Sequence, residues 1–162
     1  MQNIRIDRAV ESEASLVLDF IRKLAEYEKL LHEVKADEAQ IRESLFGPKP
    51  CAEVLIARLD EEPAGFAIFF STYSTFLAKP GIYLEDLFVE PKFRGHGVGK
   101  ALLVHLAKLT LERGGARLNW SVLDWNEPSI QFYESLGAVA LDAWTTYRVT
   151  GESLEKLAGL AR

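Results

Sequence analysis

The sequence predicts an α/β fold of the α+β kind, with a mixed, mostly antiparallel central sheet flanked by helices. Three observations predict it. Short apolar strands joined by turns crowd the first half of the chain. Helical patterns follow the later strands, as crossovers do. The two kinds of element do not alternate regularly, which argues against a doubly wound sheet. The 162 residues suit one domain spanning 1–162.

Each element has a local reason. Ile4 and Ile6 alternate with Arg5 and Asp7, the period of a strand. Leu16, Val17, Phe20, Ile21, Leu24, Tyr27 and Leu31 recur three or four apart and form one helical face. Asp37 and Gln40 form the pattern of a capping box for a second helix, which ends near Gly47-Pro48. Residues 54–57 and 65–70 read as strands around a turn at Asp60–Pro63. Residues 82–89 form another strand. A turn follows from Pro91 to Gly99, then a helix from Val98 to Arg113 with Val98, Leu102, Leu106 and Leu109 on one face. Gly114-Gly115 ends it. Residues 117–123 read as a strand and 126–136 as a short helix, with Pro128 near its start and Gly137 past its end. A last strand is expected at Thr145–Val149, followed by a short helix.

Composition narrows the function. The net charge is −5, against the basic stripe that nucleic-acid binding needs. No apolar run reaches membrane-spanning length, and Met1–Asp7 lacks the apolar core of a signal peptide. A single cysteine, Cys51, fits a reducing, cytoplasmic setting. It offers no metal set, and its place before a strand suggests packing.

The chemistry starts at Arg94-Gly95-His96-Gly97-Val98-Gly99, between a strand and a helix. Glycine permits close backbone approach and unusual dihedrals. The free N–H groups of the helix start attract phosphate, and Arg94 and Lys100 add positive charge. Spacing excludes the commoner motifs. A P-loop needs Ser or Thr after its lysine, and Ala101 follows Lys100. A dinucleotide fingerprint needs glycine where Lys100 stands.

The pattern Arg94-x-x-Gly97-x-Gly99 resembles the acetyl-CoA motif of the GCN5-related N-acetyltransferases (GNAT). The run Asn126-Glu127-Pro128-Ser129-Ile130-Gln131-Phe132-Tyr133 is similar to that family's second signature. Residues Leu24-Ala25-x-Tyr27-Glu28 and Tyr83-Leu84-Glu85-Asp86-x-Phe88-Val89 resemble its diamine (spermidine/spermine) and thialysine acetyltransferase branch. The resemblance covers essentially the whole chain. It implies the GNAT fold, with the sheet splayed at the cofactor strand, acetyl-CoA as cosubstrate without a metal, and a homodimer. It implies that Leu87, Phe88 and Val89 line the pantetheine arm. Gly95, His96, Gly97, Val98, Gly99 and Lys100 would hold the pyrophosphate beside Arg94, with Asn126 and Ser129 facing the cofactor.

Acetyl transfer to an amine sets two proton problems. An alkyl ammonium has a pKa of about 10.4 and must lose its proton. The leaving thiolate, with a thiol pKa of about 8.5, must gain one. Glu85 and Asp86 are neighbours on a strand, which points them to opposite faces. As residues they suit either a solvated strand end or a reaction centre. The resemblance implies Glu85 as the amine-binding acid or base. Tyr133, with a pKa of about 10, matches the thiolate as a general acid. By type alone it reads first as a packed, half-buried tyrosine, and the resemblance assigns the catalytic role. No motif makes Cys51 a nucleophile, so the amine attacks directly.

For the acceptor, Tyr27, Glu28, Asp86, Asp142 and Trp144 match the branch's substrate contacts. The stretch Ser71–Phe76 departs from it, with Ser74 and Phe76 where an acid and a tryptophan are expected. A diamine, a polyamine and a basic amino acid therefore all stay open. Two other classes compete: a non-catalytic acetyl-CoA sensor, and a nucleotide-dependent enzyme using the glycine turn.

Overall fold

A computed structural model describes residues 3–160, so Met1 and Gln2 of the N-terminal stretch lie outside the described residues. The chain divides into two units, the first ending at Leu123 and the second starting at Asp124.

The first unit holds a five-stranded sheet in the order β1-β2-β3-β4-β5. Its strands are β1 (Ile4–Arg8), β2 (Glu53–Leu59), β3 (Glu62–Ser74), β4 (Lys79–Val89) and β5 (Leu118–Trp120). The first four pair antiparallel and β5 joins β4 in parallel. The expected mixed sheet is thus present, although β5 is shorter than the 117–123 predicted. Helix α1 (Ala14–Tyr27) and helix α2 (Glu38–Phe46) belong with one sheet face, and α3 (Val98–Glu112) carries the other apolar stripe. Among the described residues, no helix is long and apolar enough to cross a membrane.

The core on the α1 face is built from Val17, Phe20, Ile56, Phe66, Ile68 and Phe88. Phe20 stacks on Phe66 at 5.3 Å between centroids and meets Phe88 at 6.0 Å. Burying each such ring contributes about 1.5–3 kcal/mol. Val98, Leu102 and Leu106 of α3 are buried as expected, while Leu109 is half-buried. A bidentate pair from Arg113 to Glu53, at 2.7 and 2.8 Å, ties the end of α3 to β2.

Local signals explain several boundaries. The capping box at Asp37 is complete: the Gln40 amide donates to Asp37 Oδ1 at 2.8 Å, and Asp37 N–H donates to Gln40 Oε1 at 3.0 Å. The β2–β3 hairpin closes over only Asp60 and Glu61, both at positive φ. That is a two-residue turn whose twist suits a hairpin, so Glu62 and Pro63 belong to β3.

Helix α1 stops at Tyr27 and does not continue through Leu31. Lys29 adopts φ 62°, its N–H donates to Glu26 O at 3.0 Å, and Leu30 N–H donates to Ala25 O at 2.7 Å. These two bonds form a Schellman cap, here with lysine in the place that usually takes glycine.

The second unit contains α4 (Glu127–Ser135) and α5 (Gly151–Ala158). The strand expected at Thr145–Val149 is not formed. Residues 141–150 are all exposed and carry no strand assignment. Its strand-like composition has no ladder to join among the described residues, and an extended segment without a partner does not register as a strand.

Candidate active site

The register of β4 decides where its acids point. Asp86 pairs with Ile68, whereas Leu84 pairs with Phe69. Glu85 is therefore an extra residue on β4, a β-bulge. Simple alternation would set Asp86 on the face of Leu84. The bulge moves it instead to the α1 face, beside Ile68 and Phe88. Glu85 is exposed at the bulge itself. The opposite-face expectation for the two acids thus gives way to an inserted residue and a shifted partner.

The bulge also coincides with the end of β4–β5 pairing, which covers only Ile82–Leu84 of β4. Beyond Leu84 that edge of β4 has no strand beside it among the described residues, and the sheet is open there. Glu90 N–H bonds to Ala64 O of β3 at 2.8 Å. Backbone groups alternate sides along a strand, so those of Leu87 and Val89 point to the open edge. Such an edge can pair with an extended ligand as another strand would.

Immediately after β4, Gly95 and Gly97 adopt φ of 80° and 83°. A side chain would strain both positions. Gly97 is the N-cap of α3, and the first closed helical bond is Ala101 N–H to Gly97 O at 2.9 Å. The amides of Val98, Gly99 and Lys100 precede that bond, at the positive end of the helix. His96 turns its Nδ1 to Arg94 O at 3.0 Å, which supports the turn.

Arg94 does more than add charge. Its Nε donates to Val89 O at 3.0 Å, and its guanidinium lies 4.9 Å from the Tyr27 ring centroid and 5.8 Å from that of Phe88. The turn is thereby joined to the end of α1. This contact links two motifs that the sequence presents as separate. Its only sequence signal is an arginine and a tyrosine, each beside a glycine turn or a helix end.

Tyr27 is the last residue of α1 and Glu28 its C-cap. Burial pushes the Glu28 carboxyl up. Asp86 is pushed up from 3.8 to about 6, mainly by burial, then by the Glu85 charge and the Glu28 charge. Three carboxylates thus crowd one place, and their mutual repulsion favours a cation between them. Lys23 bridges Asp19 at 2.8 Å and pairs with Glu90, so it is already engaged.

Ser74 is buried, and its Oγ accepts from Leu77 N–H at 3.3 Å across the β3–β4 turn. Phe76, at the tip, is 96% exposed. Cys51 is exposed in a bend before β2, not packed as expected.

Within the second unit, Asn126 is the buried N-cap of α4, and its carbonyl accepts from Ser129 N–H and Ile130 N–H, each at 3.1 Å. Tyr133 sits on α4 with its ring 5.5 Å from that of Phe132. Asp142 and Trp144 lie on the exposed segment that precedes α5, with Trp144 82% exposed. Among the described residues, no group of three or more His, Cys, Asp or Glu could hold a metal ion.

The Acetyltransferase (GNAT) family matches residues 18–138. The chain is 35% identical over 170 residues to a thialysine N-epsilon-acetyltransferase of Mus musculus, covering 98% of this chain and 99% of that one. It is 29% identical over 198 residues to L-ornithine N5-acetyltransferase NATA1 of Arabidopsis thaliana, covering 94% and 87%. Among solved structures, an integron cassette protein from the mobile metagenome of V. cholerae superposes with a TM-score of 0.80 at 28% identity, covering 96% and 97%. The open sheet, the glycine turn and these matches together make this chain a member of the GNAT family of acetyltransferases, an N-acetyltransferase.

Proposed function

We propose that this enzyme transfers an acetyl group from acetyl-CoA directly to a primary amine of a small cationic acceptor, a diamine, polyamine or lysine-like amino acid. The observation that carries the reading is the gathering of Glu28, Glu85 and Asp86 beside the open edge of β4. That edge runs straight into the glycine turn.

The residues present fit the cosubstrate. A tetrahedral Cβ at Gly95 would stand in open space, and both turn glycines hold positive φ, so the backbone lies bare toward a ligand. Leu87 and Val89 would pair with the pantetheine arm along the open edge, alongside Phe88. The amides from Gly95 to Lys100 would hold the pyrophosphate, with Arg94 beside them, and the resemblance implies Asn126 and Ser129 as further cofactor contacts. When bound, acetyl-CoA supplies an activated acyl group on a thioester.

The chain's own residues manage binding and protons. Tyr27, Glu28 and Asp86 receive the ammonium, with Asp142 and Trp144 as further acceptor contacts. Glu85 orients the amine and takes its proton, directly or through water. Tyr133 holds at its Oη the proton that a leaving thiolate requires. The family match crosses the boundary at Leu123, which supports one working domain over 1–162.

The test is thiol release from acetyl-CoA with a panel of L-thialysine, L-lysine, L-ornithine, putrescine and spermidine. Amine-dependent release is expected. Acetyl-CoA binding without release on any amine would support the sensor reading instead. Thermal stabilisation by ATP in place of acetyl-CoA would support the nucleotide-dependent one.

A further inference from the structure

A second polar site shares the sheet face of Asp86. On β3, alternation from Ile68 places Phe70, Thr72 and Ser74 on that face. Their β4 partners are Tyr83, Gly81 and Lys79, and Asn119 of β5 pairs with Tyr83. A pocket of about 170 Å³ opens here, with Thr72, Tyr83, Arg117 and Asn119 in its walls.

Gly81 keeps the pocket clear. A Cβ there would stand 2.8 Å from Thr72 Oγ1 and 3.5 Å from Arg117 Cβ. The Thr72 and Arg117 side chains therefore flank the gap on this same face. Arg117 is exposed, and among the described residues its side chain makes no ion pair or hydrogen bond. Arg5, Arg8, Arg58 and Arg113, by contrast, each have a carboxylate partner. The Tyr83 hydroxyl is fixed against Ser121 Oγ at 2.7 Å.

Between the acids and this pocket lies an apolar floor. Phe70 and Tyr83 stack with ring centroids 5.3 Å apart, and both are half-buried. One face thus carries, in order, anionic groups, an aromatic floor and a cationic polar pocket. Arg117 lies opposite Gly81, and from Asp86 to Gly81 is five residues, about 17 Å along a strand and less across a bulge, a span that the Asp86 and Arg117 side chains shorten from its two ends. An extended lysine side chain places its amine about 7–8 Å from its carboxylate by bond geometry. A diamine has nothing to offer the arginine end, because its far group is a cation.

We propose that Arg117, with Thr72 and Asn119, forms a carboxylate subsite, so that the acceptor is an amino acid bearing a side-chain amine. The methylenes lie on Phe70 and Tyr83, and the amine reaches Glu28, Glu85 and Asp86. This assignment rests on the acetyl-transfer reading above and selects one substrate class within it.

The test compares L-lysine with cadaverine, which has the same carbon chain without the carboxylate, on the wild type, Arg117→Gln and Arg117→Lys. Arg117→Gln should raise KM for L-lysine by about 10- to 100-fold, the loss of a charge-assisted contact. It should change kcat/KM for cadaverine by less than about 2-fold. Arg117→Lys should recover part of the lysine affinity. An unchanged KM for L-lysine overturns the subsite, and so does an equal loss on both amines. Calorimetric binding of L-lysine separates the two readings. Arg117-dependent binding without acetylation of any amine keeps the subsite and removes acetyl transfer. Acetylation of cadaverine or spermidine, with L-lysine neither bound nor acetylated, keeps transfer and removes the subsite. No binding and no transfer removes both.

Discussion

The Arg94 guanidinium lies 4.9 Å from the centroid of the Tyr27 ring, so one cation–π contact joins the glycine turn to the end of α1. The same arginine holds Val89 O through its Nε. The turn, the open strand edge and the end of α1 are therefore mechanically connected at a single side chain.

That connection predicts coupling. An exposed cation–π contact is worth about 0.5–1 kcal/mol. In a double-mutant cycle of Arg94→Ala and Tyr27→Ala, acetyl-CoA affinity should show a coupling of that size. Tyr27→Phe, which keeps the ring, should bind acetyl-CoA like the wild type. Strict additivity of the two alanine changes would refute the connection.

Asp86 predicts opposite pH trends for stability and activity. Its carboxyl rises from 3.8 to about 6 on folding. Between those values the folded protein holds a proton that the unfolded chain has lost, so stability falls as pH rises through this window. Above about pH 6 the buried charge costs up to roughly 3 kcal/mol. Asp86→Asn should therefore melt higher than the wild type at pH 8 and equally at pH 3.5. The same substitution should raise KM for the amine at pH 8, where the wild-type carboxylate is charged. Melting curves at the two pH values check the first trend, and steady-state kinetics check the second.

The assignment of Tyr133 predicts a loss in turnover without a loss in binding. Tyr133→Phe should lower kcat by about 10²-fold, the scale of a missing general acid, with acetyl-CoA affinity unchanged by calorimetry. Cys51→Ala should leave kcat within about 2-fold, since direct attack needs no thiol nucleophile. Normal turnover in Tyr133→Phe, or its collapse in Cys51→Ala, would reverse these roles.

What the sequence determined by itself is what depends on neighbours along the chain. The Asp37–Gln40 capping box, the glycine turn before α3 and the Pro128–Gly137 bracket of α4 each lie within a few residues. Their chemistry is complete in the string. The family motifs are local in the same sense. The tertiary structure decided the rest, because pairing partners lie far apart in sequence.

Alternation along β4 sets Glu85 and Asp86 on opposite faces; only the register against Ile68 and Phe69 reveals the bulge that carries Asp86 to the α1 face. Helix periodicity extends to Leu31, yet a Schellman cap on Lys29 ends α1 at Tyr27, and lysine gives no glycine signal. The residues at 145–149 favour extended backbone but no strand forms, since a strand exists only with a partner. Arg94 and Tyr27 stand 67 residues apart. Their contact, and the face that Arg117 shares with Asp86, arise only when the sheet brings those segments side by side. The glycine turn was legible as a strand-to-helix turn before α3; the placement of the acids and of Arg117 on one face depends on which way each strand turns its side chains.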